Sequence, residues 1–118
     1  MIYLASLSAI ITIGFGLICL VAPRYSLGLI HLQTAPDRPE AVAEGRGTLA
    51  GFYLAVGLLC LVAPSSAAYW ALALGWLFTG FGRGVSILLD NGRTKFNFGS
   101  ILFELGLGVA ALPAALAV

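Results

Sequence analysis

Apolar residues run in four long blocks along this chain, and polar residues collect between them. The blocks fall at about residues 2–22, 47–63, 67–89 and 98–117. Each is close to the ~20 residues that a helix needs to cross ~30 Å of hydrocarbon. Pro23 and Pro64 directly follow the first two blocks and set their ends. An open sheet is excluded in lipid because its edge groups would go unpaired, and the blocks lack the alternation of a transmembrane barrel. The pattern therefore predicts an all-α protein. Residues 1–118 form a single domain, an antiparallel bundle of four transmembrane helices.

Composition narrows the class. Of the 118 residues, 60% are hydrophobic and 9% are charged, against about 25% charged in soluble domains. A water-exposed globule cannot be built from this pool, so the lipid bilayer is the first partner. The net charge of +1 and the absence of a basic run give no reason to expect nucleic acid. The opening "MIYLASLSAIITIGFGLICLVAPR" lacks a basic n-region, and its apolar run exceeds a typical signal sequence, so it is expected to remain as a helix. Arg24, Arg38, Arg46, Arg93 and Lys95 all lie in 23–46 and 90–97, which share one side of a four-span chain. Basic loops stay in the cytoplasm, so both termini are expected outside.

The longest connection, "PRYSLGLIHLQTAPDRPEAVAE", holds Tyr25, Leu27, Leu29, Ile30 and Leu32, too few apolar residues to span. Two readings stay open: a segment in the headgroup plane, or a loop packed over the end of the bundle. Asp37 with Glu40 three residues later reads as a capping box, so the second helix should start ahead of its apolar part. "GLICLVAP" (16–23) and "GLLCLVAP" (57–64) differ at one position. Inverted repeats in transporters span several helices, so this echo in one helix is expected to be coincidence. Among the 15 glycines, Gly47-xxx-Gly51 and Gly80-xxx-Gly84 are small-xxx-small pairs, and Gly108 continues one face of the last block as Ala111 and Ala115. These positions predict close helix packing within the bundle, with dimerisation as the sharper reading.

The few remaining polar residues form lines. Thr79, Arg83, Ser86 and Asp90 recur at helical spacing, as do Asn97, Ser100 and Glu104, with Arg46, Ala50, Tyr53 and Gly57 as a thinner third line. Arg83 lies seven residues from Asp90, and Glu104 seven from Asn97, so both should sit ~10 Å in from their helix ends. Arg83–Glu104 is the expected ion pair, with Arg46 as a second cation nearby, and Glu44 and Asp90 complete the cluster. Such a pair either specifies how helices assemble or forms a ligand, ion or proton site.

Catalytic chemistry has no foothold. There is no nucleophile–base set, phosphate loop or metal-ligand spacing, and the single histidine, His31, is expected to be solvated. Cys19 and Cys60 should lie near opposite helix ends, ~20 Å or more apart, too far for a bridge. No catalytic residue, metal or cofactor is expected, and the protein is not expected to be an enzyme.

"AEGRGTLAGFYLAVGLLCL", "GRGVSILLDNG" and "SILFELGLGVAAL" together resemble a bacterial family of small four-helix membrane proteins that carry a domain of unknown function. In size and helix count that family is similar to DoxX-like proteins. The marks of the resemblance are Glu44, Arg46, Arg83, Asp90 and Glu104, and it implies the bacterial inner membrane without an assigned activity. The expected role is an accessory or scaffold subunit, bound to itself or within a larger membrane complex. The alternative is a small-solute or proton-coupled carrier that works as an oligomer through Glu104 and Arg83. The orientation is directly testable: a tag fused to the C-terminus should react with an impermeant reagent in intact cells. Labelling only after lysis would overturn it.

Overall fold

The structure, a computed structural model, describes residues 2–117. It contains α1 (Ile2–Val21), α2 (Pro23–Leu29), α3 (Glu40–Val62), α4 (Ser66–Leu89) and α5 (Lys95–Ala117), with no strand among the described residues. All but α2 are long and apolar enough to cross a membrane. The long dimension of the Cα trace, 46 Å, matches a hydrocarbon core with its headgroup layers, about 40–45 Å.

Helix ends follow local chemistry. Ala22 (φ −132°, ψ 66°) and Ala63 (φ −134°, ψ 65°) leave the helical region in nearly the same way. Each precedes a proline, whose ring disfavours the helical conformation at the residue before it. Pro23 does more than end α1: it takes the first position of α2, where its missing N–H costs nothing. Ser65 caps α4 by accepting from the Ala68 N–H at 3.1 Å. The capping box expected at Asp37 does not form, and α3 starts after Pro39 without a side-chain cap. Pro39 stands two residues after Asp37 with no N–H to offer. The Arg38 and Pro39 carbonyls take the N–H groups of Ala41 and Val42 instead.

Inside α3, Gly45–Leu49 form a π-helical turn. A π turn closes its hydrogen bonds five residues apart and shifts the phase of everything before it. Gly45 and Ala50 are both buried, while Arg46 is exposed. The line Arg46–Ala50–Tyr53–Gly57, which assumes uninterrupted α spacing, is therefore broken at its first member.

The helices form a ring in the order α3, α1, α5, α4, with α4 and α5 in the most extensive contact and α3 and α4 meeting only briefly. The turn between α3 and α4 lies at one end, here the turn end. The connections containing α2 and residues 90–94 lie at the other, the loop end. There α2 packs on α1 and the π turn through buried Pro23, Ser26 and Leu27, while Tyr25 stays 64% exposed. The segment thus forms a short helix packed over the bundle end, with Tyr25 and Leu29 left exposed.

Small residues hold the ring together. Ala5, Ala9, Ala68, Ala73 and Ala111 are fully buried. A Cβ on Gly57 would lie 2.6 Å from Ile13 Cγ1 and 2.9 Å from the Ala9 carbonyl oxygen. A Cβ on Gly16 would lie 2.8 Å from Leu54 Cγ. These two glycines open the two copies of the echo, and each receives a side chain from the helix carrying the other. The opening glycines of the two octapeptides thus lie on the two sides of one antiparallel crossing. Gly108 lies similarly against Leu77 and the Ala73 carbonyl, and Gly80 against Leu105.

The other expected packing positions differ. Gly47 and Gly51 are exposed, with no atom of another helix within 4 Å of a Cβ placed on them, and Gly84 makes an ordinary 4.0 Å contact with Ile101. The spacing of a small-residue pair does not say which way it points, and on α3 the inward face is the one carrying Gly57. Gly57→Ala and Gly108→Ala should each cost about 1–3 kcal/mol by overpacking, whereas Gly51→Ala should be neutral. Thermal unfolding in detergent measures this, and equal losses at Gly51 and Gly57 would contradict the packing.

Candidate functional site

Arg83 and Glu104 meet on the seam between α4 and α5. Arg83 Nη2 donates to Glu104 Oε1 at 2.6 Å, and Nε donates to Oε1 and Oε2 at 2.9 and 3.1 Å. Nη1 donates to Asn97 Oδ1 at 3.1 Å. The carboxylate is the deeper partner: the Glu104 side chain is 6% exposed and that of Arg83 24%. A charge in a dry place must be paired and hydrogen-bonded, and the planar fork of arginine does both.

The α4–α5 connection sets the register of this pair. Asn91 takes the left-handed backbone that asparagine tolerates (φ 57°) and reverses the chain. Thr94 Oγ1 caps α5 by accepting from the Asn97 N–H at 3.1 Å. Asn97 Nδ2 donates to the Gly92 carbonyl at 2.8 Å, so one side chain ties the loop to the guanidinium. The Arg83 guanidinium carbon also lies 5.8 Å from the Phe96 ring centroid, within cation–π range. His31 is not merely solvated: its ring stacks on Phe96 with centroids 3.9 Å apart, and its backbone is left-handed (φ 60°).

The rest of the expected cluster lies apart. Arg46, within the π turn, is exposed and enters no ion pair among the described residues. Glu44, also exposed, accepts from Thr48 Oγ1 at 2.8 Å, and Asp90 accepts from Ser86 Oγ of its own helix at 2.8 Å. Among the described residues no three His, Cys, Asp or Glu side chains gather as a metal site, and Cys19 and Cys60 are buried and unbridged.

Beside the pair lies a cavity of about 220 Å³ in the loop-end half of the bundle. Arg83, Glu104, Thr79 and Ser100 form its polar wall, and α2 with Ile30 closes its loop end. Four rings from four helices form its floor. Tyr53 stacks on Trp76 at 5.6 Å, and Phe15 meets Tyr53, Trp76 and Phe103 at 6.0–6.4 Å. Below them the Trp76 indole N–H donates to Thr12 Oγ1, Thr12 donates to the Ser8 carbonyl, and Ser8 Oγ donates to the Leu107 carbonyl, each at 2.8–2.9 Å.

Sequence reasoning missed Phe15, Trp76, Phe96 and Phe103 as wall residues. Thr12 and Cys19, one turn either side of Phe15, mark its inward face, and Trp76 lies seven residues from Arg83 on the same line.

Outward apolar side chains on four spanning-length helices, around one buried ion pair, define a small multi-pass membrane protein. The chain belongs to the family DUF4345, described as a domain of unknown function, which matches residues 2–115. Comparison with curated proteins and with solved structures gives no match.

Removing either member of the pair should expose the asymmetry between them. Glu104→Gln leaves an arginine that cannot neutralise, whereas Arg83→Met leaves a carboxylate that can take a proton. Glu104→Gln should therefore be the costlier change, by about 3 kcal/mol against the intact pair, and the double variant should recover part of that loss. A double-mutant cycle on thermal stability reads the coupling, and strictly additive losses would refute it.

Proposed function

We propose that the protein is an accessory or scaffold subunit of a membrane assembly, without catalytic activity of its own. Its place is the bacterial inner membrane, with both termini outside and the basic loops in the cytoplasm. The observation that carries this reading is the outward face of α3. Gly51 and Ala55 stand there at four-residue spacing, with Gly47 in the π turn before them, all exposed, and nothing among the described residues approaches the two glycines. Elsewhere in the bundle glycines such as Gly16, Gly57 and Gly108 receive a neighbouring helix. Small residues in line are what a second transmembrane helix needs for close approach. α3 is also the least covered span, with 22% of its apolar window buried against 28–33% for the others.

A non-catalytic role agrees with the chemistry of the pair. Arg83 uses all three of its nitrogens on Glu104 and Asn97. The burial of Glu104 favours the second reading, a proton-coupled or small-solute carrier working as an oligomer. That reading has weaker support, because beyond Glu104 the same face of α5 continues as Gly108, Ala111 and Ala115, all buried in tight packing.

Photo-crosslinking in native membranes tests the subunit reading. A crosslinker at Ala55 should give a discrete adduct, either a dimer or a conjugate with another membrane protein, while one at outward-facing Leu102 of α5 should not. Gly51→Leu should abolish the adduct and leave the thermal stability of the isolated chain unchanged. Equal, diffuse labelling at both positions would mean that this face of α3 meets only lipid.

A further inference from the structure

Protein interiors leave few voids larger than a water molecule, so the cavity beside Arg83 is an unusual retention. Its wall is overwhelmingly apolar and includes the rings of Phe15, Tyr53, Trp76, Phe96 and Phe103. An apolar cavity of about 150 Å³ stays dry and takes up one benzene. A volume of about 220 Å³ therefore suits a single substituted ring and is too small for a drug-sized molecule. Aromatic walls favour a ring over an alkyl chain through edge and offset-stacked contacts.

The charge of the occupant follows from the ion pair. Arg83 and Glu104 cancel one another, so the wall offers no net charge to an anion or a cation. It does offer hydrogen bonds. The hydroxyls of Tyr53 and Ser100 have no partner among the described residues, and Thr79, which donates to the Gly75 carbonyl at 2.7 Å, keeps its oxygen free to accept. α3 and α4, which both line the cavity, meet only briefly. We infer that this cavity is a binding site for a neutral, lipid-soluble small molecule, one ring in size, bearing a hydroxyl or carbonyl group. The site faces inward, away from Gly47 and Gly51, and stands independently of any partner on α3.

The test uses the full chain in nanodiscs, with 4-propylphenol as the probe and propylbenzene and 4-propylbenzoate as comparators. Trp76 fluorescence reports binding, once Trp70→Phe has removed the other of the two tryptophans. 4-Propylphenol should give a saturable response, and Ser100→Leu, which fills the cavity, should weaken it at least about tenfold, or 1.4 kcal/mol. Tyr53→Phe should weaken the phenol about fivefold and leave propylbenzene unchanged. Leu49→Phe, from the α3 wall, is a second filling variant should Ser100→Leu fail to fold. A non-saturating response that both filling variants retain would reduce the effect to partition into lipid and overturn the site. Tighter binding of 4-propylbenzoate than of the phenol would overturn the neutral class.

Discussion

Helices in hydrocarbon gain nothing by hiding apolar surface from one another, so this bundle depends on how closely its backbones can approach. Gly16 and Gly57 settle the distance between α1 and α3, and Gly80 and Gly108 settle that between α4 and α5. With these two pairs fixed, α1 joins α5 through buried alanines and through the Ser8 hydroxyl on the Leu107 carbonyl. The fourth side of the ring, between α3 and α4, has no such glycine and is tied near the turn by Cys60 Sγ on the Ala68 carbonyl. Aromatic rings fill the middle between α3 and α4, and the cavity lies on their loop-end side.

The interior is thus divided along its length. Toward the turn end it is built of alanines and bonded hydroxyls, with Ser66 Oγ on the Ala115 carbonyl at 3.1 Å and Cys60 Sγ on the Ala68 carbonyl at 3.3 Å. Toward the loop end it holds the ion pair, the cavity and α2. Polar groups serve both halves, but only at the loop end do hydroxyls stand beside empty space.

Much of this was legible in the sequence because lipid penalises deviations strongly. Uninterrupted apolar length gave the spans, and the cost of a lone charge pointed to the meeting of Arg83 and Glu104, at matching distances from a short connection. What was not legible came from the backbone itself. The π turn at Gly45–Leu49 rotates Arg46 off the interior line, and no side-chain pattern announces an extra residue in a turn. Small-residue spacing identified Gly80 and Gly108 as contacts within the bundle but did not show that Gly47 and Gly51 point out of it, because helices that are apolar all round carry little directional information. The glycines that open the two octapeptides lie at the α1–α3 crossing, which shows only once the helices are antiparallel neighbours, each supplying the glycine on which the other rests.

The spacing of the ion pair along the chain also bears on biogenesis. Arg83 precedes Glu104 by 21 residues, and at roughly 5–20 residues per second the ribosome makes the acid about one to four seconds after the base. Throughout that interval α4 carries an uncompensated cation, which is costly to hold in hydrocarbon without a partner. The loop holding Asn91 and Gly92 is short enough for α4 and α5 to leave the translocon as a hairpin, with the guanidinium already matched. A bond that in the finished protein joins two helices would, during synthesis, set the moment at which they enter the lipid together.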